Sequence, residues 1–98
     1  MLELNKSDIL NFLSTNKKEL QDTFLLTKIG LFGSYAKDTA TENSDIDIAI
    51  STIKKDFFLR DDLKEYLEEK FQRPVDVGYI DSFREYYKSK IEKEIIYV

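Results

Sequence analysis

The segment Ser44-Asp45-Ile46-Asp47-Ile48-Ala49-Ile50-Ser51 alternates with a period of two, the pattern of a β-strand with two unlike faces. Ile46, Ile48 and Ile50 fall on one face; Asp45, Asp47, Ala49 and Ser51 fall on the other. A strand with an isoleucine face must be covered by another layer, so the chain has to supply helices to pack on it. The opposite face carries two carboxylates whose alpha carbons lie roughly 6 to 7 Å apart. Two such groups are unfavourable without a counter-charge, because each loses hydration beside a like charge.

The rest of the chain provides the covering layer. A helix is predicted from about Ser7 to Asp22, started by Asn5 or Ser7, with Ile9, Leu10, Phe12, Leu13 and Leu20 on one side. Thr23–Phe32 reads as a strand bounded by Gly33, and the turn-rich segment that follows holds one helical turn beginning at Ser34. From Phe57 to Phe71, Leu59, Leu63, Leu67 and Phe71 recur at helical spacing among charges, predicting an amphipathic helix closed off by Pro74. Its run Arg60–Lys70 reads as a solvated face laced with i,i+4 ion pairs. Pro74–Ile80 is a third strand, and Ser82 with Glu85 has the spacing of a capping box before a last helix carrying Phe83, Tyr87 and Ile91. This order predicts the α/β (α+β) class, a small mixed β-sheet flanked by helices. With no linker, repeat or low-complexity tract, residues 1–98 are expected to form a single domain.

Composition narrows the chemistry. The chain has no cysteine and no histidine, which excludes disulfides, thiolate or imidazole metal sites and a histidine general base. Fifteen basic against nineteen acidic residues leave a net charge of -4, so direct nucleic-acid binding is not expected. The first ten residues lack the basic and apolar segments of a secretion signal, and no apolar stretch approaches membrane-spanning length. The expectation is a cytoplasmic protein without a membrane partner.

A third carboxylate, Asp76, lies in the strand Val75-Asp76-Val77. If that strand neighbours the first pair, three carboxylates converge, and a divalent cation would resolve their repulsion. Oxygen donors alone favour magnesium or manganese, and two ions about 3.5 to 4 Å apart support phosphoryl or nucleotidyl transfer. Gly33-Ser34, at the exit of the first strand, can offer backbone amides and a hydroxyl to phosphate oxygens. Taken singly, each feature reads better as ordinary structure: a solvated strand face, a strand-edge aspartate, a turn capped by Ser34. The combination carries the weight, with Gly-Ser, ten residues, Asp-x-Asp, and then a later strand holding a third aspartate. Phe57, Phe58, Phe71, Tyr86 and Tyr87 sit at helical spacing and read as core or partner surface, and Tyr35 as packing.

The stretch GSYAKDTATENSDIDIAI resembles the signature of the DNA polymerase beta-like nucleotidyltransferase superfamily. With VDVGYI as the third carboxylate strand and KEIIYV at the end, the short chain is similar to the minimal nucleotidyltransferases, the MNT group. The likeness runs from the first helix to the carboxy terminus. One departure is Asp38, where members commonly have glycine after the basic residue at the position of Lys37. The resemblance implies the polymerase beta-like nucleotidyltransferase fold. It implies that Gly33 and Ser34 hold the phosphates of ATP, with Lys37 as a further contact, and that Asp45 and Asp47 ligate two Mg2+ ions. Asp76 would bind the catalytic ion and help deprotonate the attacking hydroxyl. Larger relatives add a domain that holds the acceptor, whereas this chain has room only for the catalytic lobe. The MNT group is similar in this to antitoxins paired with a HEPN-type toxin. The implied reaction is transfer of AMP from ATP to a tyrosine hydroxyl of that ribonuclease, within a hetero-oligomer. Two other readings stand beside it: an antitoxin that masks the toxin by binding alone, and nucleotidyl transfer to a small molecule.

Overall fold

The computed structural model describes residues 4–83 and 85–98, with the backbone alone for Glu85 and Tyr86. Helix α1 (Lys6–Thr15) begins at a reciprocal cap: the Asn5 side chain accepts from the Asp8 amide at 2.9 Å, and the Asp8 carboxylate accepts from the Asn5 amide at 3.1 Å. The single helix expected to Asp22 is broken. Asn16 donates both its backbone N–H (3.1 Å) and its side-chain amide (2.9 Å) to the Phe12 carbonyl, which ends α1 by competing for a helical acceptor. Helix α2 (Lys17–Phe24) then follows directly and buries Leu20 and Phe24. Leu25, with φ 58°, turns the chain into β1 (Leu26–Phe32), so Thr23 and Phe24, expected in the strand, are helical.

A four-residue helix α3 (Gly33–Ala36) follows β1 directly, and a loop leads to β2 (Ile46–Thr52). Helix α4 (Phe57–Phe71) runs where its leucine spacing predicts, capped by Asp56, whose carboxylate accepts from the amides of Phe58 and Leu59. Gln72, with φ 55°, ends it, and Glu68 accepts from the Val75 amide at 3.0 Å, tying α4 to β3 (Val75–Tyr79). After a 3-10 turn (Ile80–Ser82) come α5 (Glu85–Glu94) and a two-residue strand β4 (Ile96–Tyr97). β4 was not expected from the sequence. The capping box expected of Ser82 and Glu85 does not start α5: Ser82 belongs to the 3-10 turn, where its hydroxyl accepts from the Lys55 ammonium at 3.0 Å, and the helix begins only at Glu85, so Phe83, expected within it, precedes it. The packing assigned to Tyr86 lies outside the described residues.

The strands form one mixed sheet in the order β3-β2-β1-β4. β1 is antiparallel to β2 and to β4, while β2 and β3 run parallel, with α4 as the crossover that a parallel pair requires. Ile29, Leu31, Ile46, Ile48, Ile50 and Val75 line one face and are buried with Ile9, Leu13 and Leu20 of α1 and α2 and Leu63, Leu67 and Phe71 of α4. Tyr35 is buried in the same core. Phe57 and Phe58 are 59% and 84% exposed and Tyr87 is 53% exposed, so of the described aromatics named for core or partner surface only Phe71 joins the core. Phe57 and Phe58 fall on the first turn of α4, away from its leucine stripe, and Tyr87 lies on α5. Within the charged run, the described ion pair joins neighbours, Arg60 and Asp61 at 3.3 Å, in place of the i,i+4 spacing expected. Among the described residues no helix is long and apolar enough to cross a membrane.

The second face is partly closed. Gly30, Ala49 and Gly78 stand in register across three strands and form a shallow row. Into it pack Ile80 and Ile95, with Phe32, Phe83 and Ile91 around them. A Cβ on Gly30 would lie 2.5 Å from Ile95 Cγ2 and 3.0 Å from the Ile96 carbonyl, and one on Gly78 would lie 3.0 Å from the Phe83 ring. The missing side chains are what let the carboxy-terminal segment reach the sheet. Gly30→Ala is expected to destabilise the fold by about 1–3 kcal/mol through overpacking, read as a lower urea midpoint. An unchanged midpoint would show that Ile95 and β4 move aside freely.

Candidate functional site

The site lies where β1 ends and β2 and β3 begin, on the face shared with the small-residue row. Phe32 is extended, and Gly33, at φ 75°, reverses the chain into α3. That φ favours glycine, and space demands it as well: a Cβ on Gly33 would strike the Asp47 carboxylate. The Gly-Ser turn and the Asp-x-Asp strand are thus in van der Waals contact. Ser34 is the second residue of α3 and not its cap; the capping position belongs to Phe32, which has no side-chain acceptor to offer. The Ser34 carbonyl accepts from the Thr39 amide at 2.9 Å and so closes the end of α3.

A local turn delivers Asp45. The Ser44 hydroxyl accepts from the Thr41 amide at 2.9 Å, the Thr41 carbonyl accepts from the Ser44 amide at 3.1 Å, and the Thr41 hydroxyl accepts from Asn43. Asp45 follows this turn, exposed, immediately before β2. The Ile46 amide donates to the Pro74 carbonyl at 3.0 Å, which locks the start of β2 to the start of β3. In the resulting register Asp47 stands opposite Phe32 on one side and Asp76 on the other. Adjacent strands are about 4.8 Å apart, so Asp76 is brought beside Asp47, as its convergence with the pair requires.

The electrostatics follow from this placement. Asp47 is pushed up from 3.8 to about 6, first by burial, then by the negative charges of Asp76 and Asp45. Among the described residues the ion pairs are Lys6–Asp38, Lys37–Glu94, Lys55–Asp81 and Arg60–Asp61, and none includes Asp45, Asp47 or Asp76. Also among the described residues, no three carboxylates make a closed metal-holding group. The donors are nonetheless of one kind: carboxylate oxygens, half-buried at Asp47 and open to solvent at Asp45 and Asp76. Such a set suits a hard divalent cation, above all magnesium, which keeps waters and uses one or two carboxylates together with substrate phosphates.

Gly33, Ser34, Asp45, Asp47 and Asp76 are therefore gathered at one end of the sheet. Lys37 is the capping residue at the far end of α3, and its ammonium is engaged by Glu94 at 2.9 Å. Glu94 carries no signal in the sequence, since its pairing with Lys37 comes only from where α5 ends. The row Gly30, Ala49 and Gly78 was findable: each lies on the carboxylate-bearing parity of its strand, where small residues announce close approach by another segment.

Comparison with known proteins agrees with this geometry. Residues 13–98 match the model of the nucleotidyltransferase domain family. The protein adenylyltransferase MntA of Thermococcus cleftensis is 33% identical over 99 residues, covering all of both chains. A solved minimal nucleotidyltransferase superimposes with a TM-score of 0.82 at 18% identity, covering 98% of each chain, a likeness of fold. A toxin-antitoxin crystal structure with AMP-PNP superimposes with a TM-score of 0.69 at 28% identity, over 96% of this chain and 72% of the other. A chain whose Gly-Ser turn touches its Asp-x-Asp strand, and which matches that family over nearly its whole length, belongs to the nucleotidyltransferase domain family, among its minimal nucleotidyltransferases.

Proposed function

We propose that this chain is a magnesium-dependent protein adenylyltransferase that moves AMP from ATP to a tyrosine hydroxyl of a HEPN-type ribonuclease and thereby acts as its antitoxin. The observation that carries the reading is the position of Asp47: against Gly33, in register with Asp76, and two residues from Asp45. The full-length likeness to the Thermococcus cleftensis MntA and the superposition on a toxin-antitoxin structure holding AMP-PNP support the donor and the kind of partner.

In this reading Gly33 and Ser34 hold the triphosphate, with Lys37 beside them. Asp45 and Asp47 would hold two magnesium ions, and Asp76 one of them. Bound there, magnesium supplies charge neutralisation of the phosphates and of the transition state. The tyrosine oxygen forms a bond to the α-phosphorus as the bond to pyrophosphate breaks, and the phenolic proton leaves to Asp76. The product places an added phosphodiester charge and a nucleoside on the toxin. The rigid mount is β2, whose neighbours on both sides fix the carboxylate separation.

The decisive experiment is the intact mass of the HEPN partner after incubation with this protein, ATP and magnesium. A gain of one or more AMP units is expected, and it should fall by about 10²–10³-fold in rate for Asp45→Asn or Asp47→Asn. Inhibition of the toxin without mass gain would establish masking by binding in its place. Gly33→Ala should lose transfer to a similar extent while keeping the far-UV circular dichroism of the wild type, because its Cβ displaces the Asp47 carboxylate. Transfer at wild-type rate by that variant would remove the Gly-Ser turn from the site.

Asp47 also sets a pH window. Its carboxyl binds a proton more tightly in the folded chain than at 3.8, so folding stability contributed by this group is full below about pH 4 and is lost as pH rises through about 6. With a chelator present, Asp47→Asn should raise the melting temperature at pH 7.5, and the gain should vanish at pH 4. A gain equal at both pH values would show that charge is not its source.

A further inference from the structure

Lys37 is the cation that follows the Gly33–Ala36 turn, and its charge is already engaged. Its ammonium lies 2.9 Å from the Glu94 carboxylate at the end of α5. Both partners stand on fixed backbone. The Lys37 amide donates to the Gly33 carbonyl at 3.1 Å, and Glu94 is followed by Ile95, which is buried against Gly30. The Lys37 side chain is 48% exposed and that of Glu94 25%, so solvent reaches the pair from the lysine side, and an ion pair at the surface is weak and readily exchanged. A phosphate group, with more charge and several acceptor oxygens, competes well against one carboxylate for an ammonium. Lys90 and Lys93 line a shallow concavity of about 330 Å³ with Ser89 and Glu94, so two further cations share that hollow with the Glu94 side of the pair.

We infer that Glu94 is a resident counter-ion of Lys37, displaced when a nucleoside triphosphate brings its β- and γ-phosphates to the Gly33–Ala36 turn. The inference rests on the reading above in which that turn holds phosphate. Glu94 then weakens triphosphate binding twice over, by occupying the lysine and by placing a negative charge beside the phosphate tail. When pyrophosphate leaves, the pair closes again. A mononucleotide, lacking the outer phosphates, is indifferent to Glu94.

The test is calorimetric titration of ATP with magnesium, and of AMP, into the wild type, Glu94→Gln, Lys37→Gln and the double variant, with melting temperatures measured alongside. Glu94→Gln should bind ATP about two- to fivefold more tightly, the range an exposed ion pair commands, and bind AMP unchanged. Lys37→Gln should weaken ATP more than AMP, and adding Glu94→Gln to it should give a smaller gain than in the wild type. Glu94→Gln that melts normally and binds ATP no more tightly overturns the inference. Should that variant melt early, Lys37→Gln decides alone, since equal weakening of ATP and AMP also overturns it. Wild-type protein that is folded yet binds no ATP overturns both this inference and the phosphate-turn reading, whereas ATP binding indifferent to Glu94 overturns this one only.

Discussion

The parallel pairing of β2 with β3 is the constraint on which the site depends. One hydrogen bond, from the Ile46 amide to the Pro74 carbonyl, starts the ladder, and from it Asp47 meets Asp76 while Ile46 and Ile48 meet Val75 and Val77. A one-residue slip would put the isoleucines on the carboxylate face and the aspartates into the core. The apolar core therefore enforces the register, and the register places two like charges side by side. The cost falls on Asp47, where burial and two neighbouring carboxylates hold the proton more tightly than in a free aspartate. The fold tolerates this because the favourable isoleucine burial on one face outweighs the repulsion on the other.

The face that carries the charges is also the face that the carboxy-terminal segment closes. Gly30, Ala49 and Gly78 leave a low row, and Ile95 and Phe83 settle into it, with Phe83 meeting Phe32 edge-on at 5.5 Å. One row along the sheet, Phe32 stands opposite Asp47. The apolar plug and the carboxylates are thus successive rows of one surface, and the plug holds α5 where Glu94 can reach Lys37.

The loop between α3 and β2 is strapped from three directions. Glu94 holds Lys37, Lys6 of α1 holds Asp38 at 2.9 Å, and the Arg73 guanidinium donates to the Glu42 carbonyl at 2.7 Å. Asp38 has φ 60°, in the left-handed region that favours glycine, the residue that the resemblance leads one to expect there. Aspartate is among the few side chains that visit this region routinely, and the ion pair with Lys6 helps to hold it. The departure from the family pattern at this position thus has a local structural answer.

Much of this was legible in the chain. Period-two alternation assigned each residue of β2 to its face, leucine spacing set the limits of α4, and the distance from Gly33-Ser34 to Asp45-x-Asp47 marked out the candidate site. These are local properties, written in the backbone geometry of each element and readable from neighbours in sequence. Other features were decided by the tertiary structure alone: the break at Asn16, the β4 edge strand, the pairing of Asp47 with Asp76, the closing of the second face and the capture of Lys37 by Glu94. Each depends on a contact or a side-chain competition that no spacing rule specifies, because residues far apart in the chain become partners only when packing of the whole sheet brings them together.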